Sequence, residues 1–129
     1  MQHNNNLSKT QKDVLFNKGT EAPGSGKFLH HYEDGVYTCA NCSAELFRSD
    51  TKYESTQPGL IGWPSFDDAI EGALKRHSDT SLFMERTEIT CAACGGHLGH
   101  VFEADDAPSG THYCVNSASL DFVDSDVTE

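Results

Sequence analysis

Five cysteines, Cys39, Cys42, Cys91, Cys94 and Cys114, carry most of the chemistry open to this chain. Four form two C-x-x-C pairs, Cys39-Ala40-Asn41-Cys42 and Cys91-Ala92-Ala93-Cys94. Two such pairs present four thiolates, the soft donor set that tetrahedral Zn²⁺ takes. Gly95 and Gly96 follow the second pair, where the backbone must turn sharply around a bound sulfur and glycine lowers the steric cost. Residues 43–90 separate the pairs, a longer gap than the roughly 15–20 residues of a zinc ribbon. Loop-closure cost grows only logarithmically with length, so the metal would tie distant parts of the chain together. The competing readings are two redox pairs, or an iron site of the same geometry. A redox pair usually opens a helix, and neither pair here precedes a helical pattern, which favours a structural Zn²⁺. Four protein ligands leave no position open for water or substrate.

Cys114 then stands alone, in His112-Tyr113-Cys114-Val115-Asn116, with His97-Leu98-Gly99-His100 upstream. A free cysteine is often buried and inert. In a strand, however, side chains two apart share a face, so His112, Cys114 and Asn116 are expected to project the same way. A thiol beside an amide and an imidazole suits a polar site with an activatable nucleophile better than a dry core. Histidine near a thiol can lower its pKa and deliver a proton to a leaving oxygen. The plainer reading of His97 and His100 is a pair adjoining the metal knuckle, with one as a ligand. That of Trp63, the one tryptophan, is core packing.

These groups need a scaffold. Leu7 to Lys18 reads as a helix with Ser8 and Gln11 as a capping box and Gly19 as the C-terminal glycine. Extended segments are expected at Val36-Tyr37-Thr38, Leu82 to Thr90, Gly99 to Glu103, Tyr113 to Asn116 and Leu120 to Val123. A helical turn is expected after Trp63-Pro64, through Phe66, Ala69 and Ile70. Asp124 to Glu129 reads as a frayed acidic end. The expected fold is mainly β, clasped by zinc.

The 129 residues suit one domain, 1–129 with a core of about 7–123. Twenty Asp and Glu against nine Lys and Arg give a formal charge of −11, which disfavours nucleic-acid and anionic-membrane partners. No apolar run approaches the ~18 residues of a membrane helix. Met1 to Asn6 lacks the basic and apolar parts of a secretory signal. The expected protein is a cytoplasmic monomer.

Taken together, several motifs resemble the B-type methionine sulfoxide reductases. They are Gly19-Thr20-Glu21, the first C-x-x-C, Leu46-Phe47-Arg48-Ser49-Asp50-Thr51-Lys52-Tyr53 and Gly62-Trp63-Pro64-Ser65-Phe66. The second C-x-x-C, His97-Leu98-Gly99-His100-Val101-Phe102 and Tyr113-Cys114-Val115-Asn116-Ser117-Ala118 follow in order. The resemblance implies two antiparallel β-sheets with short N-terminal helices, and a four-cysteine Zn²⁺ site remote from catalysis. It also implies reduction of the R epimer of methionine sulfoxide. By motif, Cys114 matches the catalytic cysteine, His97 and His100 the two histidines and Asn116 the site asparagine. Trp63 matches the tryptophan that packs on the substrate methyl group. Phe102 and His112 are further candidates for the substrate site.

Two departures matter. Many members carry a resolving cysteine two residues before the motif tryptophan, where this chain has Ile61, and residues 1–38 contain no cysteine either. With four cysteines on metal, the resemblance implies a one-cysteine enzyme reduced by an external thiol, thioredoxin being the first candidate. His112 stands where the family usually has arginine, so charge near the thiol would depend more on pH. The alternatives are a zinc-stabilised β module that binds a partner, which leaves Cys114 and Asn116 unexplained, and a thiol peroxidase, which the motif order does not suggest.

Overall fold

The computed structural model describes residues 7–21, 24, 26–29, 31–53, 62–79, 86–103 and 109–124. One α-helix, α1 (Lys9–Asn17), precedes nine strands among these residues: β1 (Gly35–Cys39), β2 (Glu45–Arg48), β3 (Lys52–Tyr53), β4 (Ser65–Phe66), β5 (Leu74–Asp79), β6 (Arg86–Cys91), β7 (His97–Glu103), β8 (Thr111–Val115) and β9 (Leu120–Asp124). They form two antiparallel sheets, one of three strands in the order β2-β1-β9 and one of six in the order β3-β4-β8-β7-β6-β5.

Helix α1 starts as its sequence requires. The Ser8 hydroxyl accepts from the Gln11 backbone N–H at 3.1 Å, and the Gln11 side chain accepts from the Ser8 backbone at 2.8 Å. Its end differs from expectation. Lys18, at φ 57°, takes the left-handed position, and the following Gly19 donates its N–H to the Asp13 carbonyl at 3.1 Å. Val14 and Leu15 are its buried residues.

Aromatic side chains join the two sheets. Phe47 of β2 stacks on Phe66 of β4 at 4.3 Å, and Tyr37 of β1 meets Phe66 edge-on at 5.2 Å. Tyr37, Phe47 and Phe66 are fully buried. Removing a ring of this kind typically costs about 3–5 kcal/mol.

The helical turn expected after Pro64 is absent. Ser65 and Phe66 are a strand, because their backbones pair with Cys114 and Tyr113 of β8. The segment expected as a strand from Leu82 is strand from Arg86, while 82–85 lie outside the described residues, as do Ile61 and the acidic end from 125 to 129. No helix among the described residues is long and apolar enough to cross a membrane.

Candidate active site

Cys114 lies on β8 between two partner strands. It is opposite Ser65 on β4 and His100 on β7. His100 is in turn opposite Glu88 on β6, and Glu88 opposite His77 on β5. Residues directly opposed in antiparallel strands share a face, so a polar row crosses the sheet with Cys114 in its middle. The adjacent row, Phe66, Tyr113 and Val101, is buried on the core side.

Strand alternation alone would put His97 and His100, three apart, on opposite faces. A bulge in β7 changes this. Ile89 pairs with Gly99 and Thr90 with His97, leaving Leu98 as the extra residue. His97 thereby joins the face of His100, with the two ring centroids 5.6 Å apart. The Leu98 carbonyl receives both the backbone N–H of Asn116 at 2.9 Å and its side-chain Nδ2 at 3.1 Å. Gly99 permits the close approach of β7 and β8, since a Cβ there would collide with the Cys114 carbonyl oxygen.

A cleft of about 100 Å³ opens at Cys114, lined by Thr20, Trp63, Arg86, Gly99, His100, Phe102, Cys114, Val115 and Asn116. Five residues singled out in the sequence therefore meet here: Cys114, His100, Asn116, Trp63 and Phe102. His97 and His112 do not line it. His97 is buried, with Nδ1 2.7 Å from Glu88, whose other oxygen is 3.2 Å from Lys18. Burial holds the His97 pKa below the ordinary imidazole value, against the pull of Glu88. It is thus a neutral ring donating Nδ1–H to a carboxylate. His112 is fully buried, with Nε2 2.8 Å from the Ser65 hydroxyl and its ring 5.4 Å from that of Tyr53.

Burial pushes the Cys114 thiol up to about 12, and the Glu21 carboxylate adds to the rise. The resting group is a thiol, so attack requires a base or a cation nearby. His100 is the imidazole in the cleft, with Nε2 2.7 Å from Asp79 Oδ2. The indole N–H of Trp63 donates to the Glu21 carbonyl at 3.0 Å, which holds the ring part-buried at the cleft.

The four remaining cysteines converge from both sheets. Their sulfurs all lie within 4.8 Å of one another, with Cys39–Cys94 at 3.7 Å and Cys42–Cys91 at 3.5 Å. About 3.8 Å separates sulfurs around a tetrahedral ion with ~2.3 Å bonds, so the set fits a metal. The short contacts run between the two C-x-x-C pairs and gather the four sulfurs into one set, unlike two separate redox pairs. Each knuckle closes alike. Ser43 and Gly95 donate N–H to the Cys39 and Cys91 carbonyls at 2.9 and 2.7 Å, both at positive φ (65° and 80°). Of the two glycines that follow the second pair, Gly95 takes this left-handed position, at less steric cost than Ser43 in the first knuckle. No histidine among the described residues belongs to this cluster.

Residues 7–124 match the SelR domain. The chain belongs to the SelR-domain family. Peptide methionine sulfoxide reductase MsrB of Methanosarcina barkeri is 53% identical over 117 residues, covering 90% of this chain and 80% of that protein. The protein of the same name from Leptospira interrogans is 49% identical over 117 residues, covering 90% and 86%. That of Escherichia coli is 49% identical over 120 residues, covering 92% and 85%. The crystal structure of the Mis18 'Yippee-like' domain aligns with a TM-score of 0.55 at 19% identity, over 70% of this chain and 96% of that one. That likeness concerns the fold alone.

Within this SelR domain, three polar residues that line the cleft or bond to its lining were not singled out for it by sequence reasoning. Arg86 lines it, while Glu21 bonds to Trp63 and Asn116, and Asp79 to His100. Glu21 stands in Gly19-Thr20-Glu21, a motif that marks the resemblance without revealing a role. Arg86 and Asp79 carry no motif of their own. They face each other at the ends of β6 and β5, 3.3 Å apart, and only strand pairing brings them to the cleft.

Proposed function

We propose a course for the reaction of this oxidoreductase, a methionine sulfoxide reductase of the B type, on the R epimer of methionine sulfoxide. The sulfoxide enters the cleft with its methyl group against Trp63 and Phe102 and its oxygen toward His100. Cys114 loses its proton and attacks the sulfoxide sulfur, while His100 protonates the oxygen. Oxygen passes to Cys114, methionine leaves, and Cys114 remains as a sulfenic acid, oxidised by the two electrons the substrate sulfur gained. The proton lost by the thiol equals the proton gained by oxygen, so the step is proton-neutral overall. His97 supports the face behind His100. Asn116 and the Trp63 wall fix which epimer presents its oxygen to the donor.

An external thiol then attacks the Cys114 sulfur, and the sulfenic oxygen departs as water. A second thiol releases Cys114 and takes the disulfide away. A dithiol protein such as thioredoxin suits both steps, because the metal cluster leaves Cys114 no internal partner. The four cysteines would hold a structural Zn²⁺, which cross-links the knuckles of the two sheets. The small cleft receives the end of a side chain, which favours methionine sulfoxide within a peptide.

The single observation that carries this reading is the register pair of Cys114 and His100 in a cleft lined by Trp63. The test is turnover of each sulfoxide epimer with excess dithiothreitol, with Cys114→Ser alongside. Loss of the R epimer alone, abolished in the variant, is the expected result. Consumption of neither epimer by folded, metal-loaded protein would overturn the reading in favour of a binding module. Mass spectrometry after one turnover without reductant should find a sulfenic acid on Cys114, and a disulfide there would overturn the external-thiol step.

A further inference from the structure

We propose that Asp79, braced by Arg86, is the positioning residue for His100: it takes the Nε2–H and leaves Nδ1 to carry the proton from the Cys114 thiol to the sulfoxide oxygen. The inference rests on the proposed reaction and names how its proton carrier is set. His100 Nε2 lies 2.7 Å from Asp79 Oδ2, and the same oxygen is 3.3 Å from Arg86 Nη2. Asp79 and Arg86 are the last pair of the β5–β6 ladder, so the end of that hairpin delivers a carboxylate beside the ring. Arg86 itself lines the cleft.

A carboxylate can only accept. The hydrogen on neutral His100 is therefore on Nε2, and the Nδ1 lone pair is free for exchange with the cleft. Nδ1 accepts the Cys114 proton, the resulting imidazolium is stabilised by Asp79, and Nδ1–H then gives the proton to the sulfoxide oxygen. The proton ends on the oxygen, and the ring returns to its starting tautomer. His100 and Cys114 are directly opposed on neighbouring strands, which sets them side by side for this exchange. Among the described residues, the other charged or titratable groups around the ring are Glu88, its partner on β6, the His97 ring 5.6 Å away, and Cys114 itself. Glu88 is engaged by His97 and Lys18, so Asp79 is the carboxylate that acts on His100.

The test uses metal-loaded protein, Asp79→Asn and Asp79→Glu. Asp79→Asn should lower kcat for the R epimer about 10- to 100-fold, as part of the ~10²–10⁴ that general acid–base catalysis supplies, with KM changed less than about twofold. Asp79→Glu should restore part of the rate. Nitrogen-15 NMR of wild-type His100 should show hydrogen on Nε2, and Asp79→Asn should mix the tautomers. An unchanged kcat in Asp79→Asn, or an Nδ1–H tautomer in the wild type, overturns the proposal. The NMR measurement on the wild type stands even if Asp79→Asn fails to fold. A wild type that turns over neither epimer defeats the reaction scheme instead, leaving the tautomer result to decide Asp79.

Discussion

The backbone N–H of Glu21 donates to Oδ1 of Asn116 at 3.0 Å, although the two residues are 95 positions apart. Glu21 makes two more links: its carbonyl receives the Trp63 indole, and its Oε1 accepts the Ala118 N–H at 2.9 Å. The Asn116 amide bonds at its other end to Leu98. Asn116 thus ties the segment holding Trp63 to the bulge of β7. Asn116→Ala would strand the buried Glu21 N–H, at about 1–3 kcal/mol, while the Leu98 carbonyl would keep the backbone N–H of position 116 and lose only its second donor. The variant should be less stable by denaturant titration. Its KM should rise and its epimer discrimination fall as the Trp63 side loosens.

Thiol chemistry gives a second prediction. With a pKa near 12, Cys114 in the free protein should react with iodoacetamide about tenfold faster per pH unit between roughly pH 7 and 10, without a plateau. Glu21→Gln keeps an acceptor for Ala118 and removes the charge that raises this pKa. Alkylation at a fixed pH near 9 should accelerate in that variant. No acceleration would show that burial alone sets the thiol.

Acid should destabilise the pair behind the cleft. Burial raises the Glu88 pKa, but the hydrogen bonds from His97 and Lys18, with the Lys18 charge, outweigh it and hold it below the ordinary value. A depressed carboxylate lends stability that is lost as pH falls through its folded pKa. The depressed His97 imidazole acts in the same direction, since the unfolded chain binds a proton near pH 6.5 that the folded state refuses. Denaturant midpoints should therefore fall from pH 7 towards pH 4. In Glu88→Gln the decline between about pH 6.5 and 4.5 should be at least as steep, because Glu88 raises the His97 pKa and its loss depresses that imidazole further, whereas the loss below about pH 4.5 should shrink.

The metal cluster and Cys114 should separate cleanly. Cys42→Ser, or a strong chelator, should release the metal and lower the melting temperature by roughly 10 °C or more, because the sulfur links join distant chain segments. Cys114→Ser should keep one Zn²⁺ per chain by elemental analysis and a near-normal melting transition, while losing turnover.

Several features were legible in the chain alone because their causes are local. Two C-x-x-C pairs can gather four sulfurs wherever the intervening chain goes, and the Ser8–Gln11 capping box is closed within four residues. Alternating or apolar runs marked β1, β7, β8 and β9. Strands β2, β3, β4 and β5 escaped notice because Glu45–Arg48, Lys52–Tyr53 and Ser65–Phe66 are too short to show a period and Leu74–Asp79 is mostly polar, so pairing with β1, β4, β8 and β6 decides them. The surroundings of each histidine are likewise tertiary. An extra residue at Leu98 turns His97 to the face of His100, yet a glutamate on β6 holds one ring while an aspartate at the end of β5 holds the other. His112 has the spacing of a site residue, but the Ser65 hydroxyl captures it in the interior. Residue types and spacing determined which chemistry was available. Strand register and one bulge decided which side chains could perform it together, because those set partners across strands that no local pattern encodes.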